Sequence, residues 1–180
     1  VRGGTAFPLR HLTAAAAAAA VLLGGCSTAQ RPSLAEPTAR NGTTPRTTAL
    51  QPVVTRDGPC PYFTTSFAVD TVGQHLSRST VTTTTPYPGC TFYRPDEGKA
   101  VDVQVSVQPT VLAAQRRAVT LLGPAANPVS GVGDHGTVVI VADGARLAVS
   151  KGRVLIVVWV NQQVSLQARD IAAAVAAKVR

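Results

Sequence analysis

Residues 101–107 place the tightest constraint on the fold. Val101, Val103, Val105 and Val107 alternate with Asp102, Gln104 and Ser106, and Gln108 follows. A period of two puts every valine on one side of an extended chain and every polar residue on the other. A helix would scatter the same residues around its circumference. The segment is therefore a strand with one buried face, and that face needs a second layer to cover it. Residues 155–160 read Leu-Ile-Val-Val-Trp-Val and are apolar on both sides. Such a strand belongs at the centre of a sheet with both faces covered, which puts Trp159 in the core.

The neighbouring elements follow from local signals. Pro61 suits the first residue of a helix, Phe63 and Phe67 share a face, and Gly73 suits its stop, which gives a helix over 61–72. The threonine-rich stretch 74–85 favours a strand, and 91–94 gives another. Pro109-Thr110 opens a second helix with Thr110 as its N-cap. Its inner side is expected along Val111, Leu112, Gln115, Val119 and Leu122, and Gly123-Pro124 ends it. Residues 125–136 read as a long loop. Strands are expected over 137–141, 146–150 and 153–160, with a hairpin at Asp143-Gly144 and a turn at Lys151-Gly152. Val164, Ala168, Ile171, Ala172, Val175 and Val179 keep helical spacing to the C-terminal end. The expected fold is α+β: a two-layer sandwich of antiparallel sheet and packed helices, in the order α-βββ-α-βββ-α. Residues 57–180 form this single domain.

The chain ahead of the domain differs in character. Arg2 and Arg10 precede an apolar, mostly alanine run over 12–23. A basic front and an apolar run of about 7–15 residues describe a secretory signal. The run falls short of the ~20 residues of a spanning helix. The chain opens on Val and has no Met, so Val1 is expected to be an alternative start codon written literally. Leu23-Gly24-Gly25-Cys26 closes the run and resembles the lipobox of bacterial lipoproteins. That resemblance implies a diacylglyceryl thioether on Cys26, cleavage before it, palmitate-type acyl chains and a mature chain starting there. The other readings are a buried cysteine ending an alanine-rich helix, and a plain secretory signal cut nearby. The basic front, apolar run, small-residue pair and polar tail occur together and favour lipidation. Residues 1–25 are then the signal peptide. Residues 26–56 are a lipidated cysteine with a disordered tether, rich in Thr, Pro, Ala and Arg and lacking aromatics.

This organisation bears on charge and redox state. The net charge is +8, which raises the question of nucleic acid. The excess is spread out, though: from residue 57 onward there are 11 basic and 8 acidic side chains. No basic cluster is interleaved with aromatics, and export removes the chain from nucleic acid, so that partner is excluded. Cys60 and Cys90 remain in an oxidising compartment. Two cysteines allow one pairing, so a Cys60–Cys90 disulfide is expected, the alternative being two buried thiols. No Cys or His lies at zinc-ligand spacing from either, and no metal or cofactor is expected.

Cys60-Pro61-Tyr62, Asp70-Thr71 with Gly73-Gln74, Gly89-Cys90 with Phe92-Tyr93, residues 148–152 (Ala-Val-Ser-Lys-Gly) and Val160-Asn161-Gln162 occur in an order similar to a family of uncharacterised actinobacterial lipoproteins. That family is described as a domain of unknown function. The resemblance implies a cell-envelope lipoprotein with a disulfide, and it brings no catalytic residue.

The residues themselves offer little chemistry. His75 and His135 are the histidines beyond the tether. Asp134-His135 sits in a glycine-bearing loop, but no Gly-x-Ser-x-Gly turn supplies a nucleophile. Asp96 and Glu97 read as a solvated turn. The expectation is a non-enzymatic lipoprotein, held at the extracytoplasmic face of the cell membrane by its lipid. It would present a sheet face or the loop around Gly133, Asp134 and His135 to an envelope protein, glycan or lipid. The alternatives are an envelope enzyme using Asp134 and His135, or a purely structural protein. A deep pocket at His135 would favour chemistry; a smooth sheet or a groove would favour binding.

Overall fold

A computed structural model describes residues 52–180. Its elements run β1 (Thr55–Asp57), α1 (Thr65–Val72), β2 (Arg78–Thr82), β3 (Cys90–Tyr93), β4 (Lys99–Val107), α2 (Val111–Thr120), β5 (Asn127–Pro128), β6 (His135–Val141), β7 (Gly144–Lys151), β8 (Val154–Val160) and α3 (Ser165–Lys178). The strands form one antiparallel sheet in the order β1-β2-β3-β4-β8-β7-β6-β5. The fold is α+β, with helices packed on the sheet. Cys26 and the leader lie outside the described residues.

The expected element order misses two strands. β1 and β5 add an outer strand at each edge, with three and two residues, all exposed. Neither is long enough to carry a hydrophobic period. Backbone pairing alone places them, Asp57 opposite Thr80 and Asn127 opposite Val138. β1 thus takes Thr55 and Arg56, expected in the tether, into the sheet. β5 and the early start of β6 at His135 likewise shorten the expected loop.

The valines of β4 behave as their spacing demands. Val101, Val103 and Val105 are buried and stand opposite Val160, Val158 and Ile156 of β8. Ala145, Leu147 and Val149 of β7 continue the same face. Helix α3 covers it with Ala168, Ile171, Ala172 and Val175, all fully buried. Just ahead of α1, Phe63 stacks on the buried Phe92 of β3 at 5.4 Å and meets Phe67 of α1 at 5.5 Å. Alternation therefore builds the main core on one side of the sheet.

Helix α1 starts later than Pro61 suggests. The Cys60 and Cys90 sulfurs are joined, with Cα atoms 5.5 Å apart. The Tyr62 hydroxyl donates to the Pro88 carbonyl at 2.7 Å. These ties commit residues 60–62 to the loop beside β3. Thr64 then caps the helix, its Oγ1 accepting the Phe67 N–H at 3.2 Å. Gly73 ends it in the left-handed conformation, as expected.

Helix α2 has the expected N-cap, Thr110, whose Oγ1 accepts the Ala113 N–H at 3.0 Å. Its inner side is a correction. Ala114 and Ala118 are fully buried, while Val111, Leu112 and Val119 are about half exposed. The physical reason is close approach. The buried Thr137 hydroxyl of β6 donates to the Ala118 carbonyl at 2.9 Å. A helix held that near a sheet admits only small side chains between. Thr137 alternates away from the valine core, so α2 lies on the opposite face from α3, over β6, β7 and β8.

Candidate functional site

The one-sided placement of α2 defines the site. On its face of the sheet the helix covers β6–β8 and stops. The same face of β2, β3 and β4 is not covered by a helix among the described residues. What it presents is the polar half of the alternation: Thr80 and Thr82 from β2, Thr91 and Tyr93 from β3, Asp102, Gln104 and Ser106 from β4. Together with Arg117 and Leu121 from the α2 end they line a trough of about 750 Å³. A second depression of about 420 Å³ adjoins it, sharing Lys99, Asp102 and Gln104 and adding Asp143, Arg146 and Trp159.

Strand register sets the order of groups across the trough. Thr80 faces Thr91, Thr91 faces Asp102, Asp102 faces Trp159, and Trp159 faces Arg146. The Asp102 carboxylate is held from two sides. Thr91 Oγ1 donates to its Oδ1 at 2.7 Å, and Gln104 Nε2 donates to its Oδ2 at 3.0 Å. Arg146 Nη2 donates to Asp143 Oδ2 at 3.1 Å. At the far side, Arg78 Nε donates to Glu97 at 3.0 Å, and its guanidinium lies 3.9 Å over the Tyr93 ring. The Glu97 hydrogen bond raises the Arg78 pKa further above its usual value.

Trp159 is a second correction. Its strand β8 is central, between β4 and β7, as expected. The indole, however, is only partly buried and lies on the open face, between Asp102 and Arg146. Its Nε1 is buried and has no hydrogen-bond partner among the described residues. The valine side of β8 is sealed by α3, but α2 ends too soon to cover Trp159.

This surface combines hydroxyls and amides, which donate and accept, with one fixed carboxylate and two aromatic rings. Such a set suits directional contacts to an extended polar ligand or peptide segment. The alternation implied one buried face for β4, and the sequence offered a sheet face as a candidate surface without saying which strands formed it. Their signal was present, because the threonines of β2 and β3 repeat the same polar alternation. What could not be read was that all three strands turn that side to the same trough.

The expected loop is elsewhere. Gly133 takes φ +63°, and a Cβ there would collide with the Ser150 carbonyl. That contact brings the loop onto β7, where the Asp134 N–H donates to Ser150 O at 2.7 Å. The Asp134 carboxylate accepts the Gly152 N–H at 2.7 Å, closing the turn between β7 and β8. His135 is exposed at the start of β6, and Ser150 Oγ donates to its carbonyl at 3.3 Å. Neither His135 nor His75 lines the trough. A shallow depression of about 350 Å³ does include Gly133 and Asp134, beside Lys151 and alanines of α3. Among the described residues no group of His, Cys, Asp and Glu is arranged to hold a metal ion. No described helix is long and apolar enough to cross a membrane.

The family model described as "Domain of unknown function (DUF2020)" matches residues 44–180. No curated protein matches the chain.

Proposed function

The chain belongs to the DUF2020 family, whose model spans the whole described domain, and from that footing we propose that it is a cell-envelope lipoprotein of actinobacterial type. In this reading Cys26 carries the lipid, and residues 57–180 act as a small extracytoplasmic binding or accessory domain rather than an enzyme. The observation that supports binding is the open polar half of the sheet, with Asp102 fixed by Thr91 and Gln104 beside Trp159. Supporting export are the basic front, the apolar run, Leu23-Gly24-Gly25-Cys26 and a disulfide. The ligand is an envelope protein, glycan or lipid met at the trough. The alternative is catalysis by Asp134 and His135, but Asp134 Oδ2 closes a turn by accepting the Gly152 N–H and neither residue lines the trough.

The test has two arms. Metabolic labelling with a fatty-acid probe is expected to mark the wild-type chain and to leave Cys26→Ser unmarked and accumulated as precursor. Affinity purification from detergent-solubilised envelopes is expected to enrich a ligand with the wild type and lose it with the Asp102→Ala/Gln104→Ala variant. Equal recovery from both chains would remove the trough from the account.

A further inference from the structure

The outer side of α2 carries an observation that the trough does not explain. Val111, Leu112 and Val119 are 45%, 52% and 48% exposed, while the helix buries only alanines. Leu112, Arg116 and Val119 fall at i, i+4 and i+7 and so share one face of the helix. No carboxylate occurs between Asp102 and Asp134 in the sequence. The four ion pairs among the described residues use Arg78, Arg94 and Arg146, and none uses Arg116 or Arg117. An aliphatic stripe bordered by the unpaired Arg116, on a helix without acids, fits the boundary between acyl chains and anionic headgroups. Arginine can lay its methylenes along such a stripe while its guanidinium stays at headgroup level.

We infer that the outer face of α2 docks the domain onto an anionic lipid surface, with Leu112 and Val119 entering the interface and Arg116 meeting headgroups. A second copy of the chain is a poorer occupant. Stable dimers bury about 800 Å² on each partner, beyond what three half-exposed aliphatic side chains supply. Docking of this size is weak on its own and rests on the lipid-anchor reading, which keeps the domain near the bilayer. Cys26 lies 26 positions ahead of residue 52 in the sequence, so an anchor there would hold the domain close to the bilayer.

The chain has three cysteines. With Cys26 acylated and Cys60 joined to Cys90, a Leu112→Cys substitution supplies one free thiol for an environment-sensitive fluorophore. The labelled, lipidated full chain is reconstituted into vesicles of phosphatidylcholine alone or with phosphatidylglycerol. Ile140→Cys, 46% exposed on β6, is the control, and Val119→Cys repeats the measurement should Leu112→Cys fold poorly. Docking predicts at least a twofold rise in emission at 112 or 119 on the anionic vesicles and no rise at 140. Arg116→Gln should cut the rise by at least half. Equal responses at both sites, equal responses on both vesicle types, or a rise that tracks protein concentration would overturn it. Failure of the anchor shows separately, as a chain that takes up no fatty-acid probe and does not float with vesicles.

Discussion

Removing the Cys60–Cys90 link is the perturbation whose size follows most directly from the structure. The bond closes a loop with a sequence separation of 30. In the chain-entropy treatment, a loop of that length costs the unlinked unfolded chain nothing and restricts the linked one by about 12 cal/mol/K, or about 3.6 kcal/mol at 25 °C. For a domain of this size that amounts to a fall in Tm of about 10–15 °C. The Cys60→Ala/Cys90→Ala variant also loses packing, because Cys90 is 2% exposed beside the Val103 position of β4. Comparing oxidised wild type, reduced wild type and the double variant separates the link from the packing. Differential scanning calorimetry of the three, at matched pH, reads the difference. A fall below about 3 °C on reduction would refute the argument, since the loop would then be constrained by something else. The obvious substitute is the Tyr62 hydroxyl bond to Pro88, which spans nearly the same loop.

That tyrosine gives a pH prediction. Burial, reinforced by Tyr87, pushes the Tyr62 pKa from 10.0 up to about 12. The folded state thus holds its proton where the unfolded chain releases it. The resulting stability is fully present below pH 10 and is lost as pH rises towards 12, by about 2–3 kcal/mol in all. Tyr62→Phe should flatten that loss in urea titrations at stepped pH; an unchanged slope would exclude Tyr62 as its source. Gly144 has φ +144°, and a Cβ there would collide with the Val160 carbonyl, whereas Gly123 at φ +81° has open space. Gly144→Ala should therefore cost more than about 3 kcal/mol or prevent folding, and Gly123→Ala only about 1–2 kcal/mol. Similar costs at both sites, read from denaturant midpoints, would reject the collision. Thr137→Val removes the hydroxyl that reaches the Ala118 carbonyl. It should cost about 1–3 kcal/mol and speed hydrogen exchange in α2; unchanged exchange there would count against Thr137 as the attachment.

The sequence by itself determined the elements whose side chains repeat with a clear period, together with the ends marked by special residues. β4 was legible from its valines, α3 from its apolar spacing, and the stop of α1 from Gly73. The disulfide was legible because, with Cys26 set aside as the expected lipid site, two cysteines admit one pair. Apart from the disulfide, whose cysteines are separated by 30 in sequence, these are local facts: each depends on residues within a turn or a strand of one another. The family model adds membership over residues 44–180 without adding a reaction.

Only the tertiary structure decided which side of α2 faces inward and which side of the sheet stays open. Local hydrophobicity favours burying Val111, Leu112 and Val119, yet the approach of Thr137 to Ala118 leaves room for alanine alone. That choice turns the aliphatic stripe outward. Because α2 covers only β6–β8, Asp102 and the threonines of β2 and β3 line an open trough, with Trp159 in the depression beside it. The two-residue strand β5 and the capture of Thr55 and Arg56 by β2 were invisible for a related reason. Backbone hydrogen bonds place those edges, and backbone groups are the same in every residue except proline.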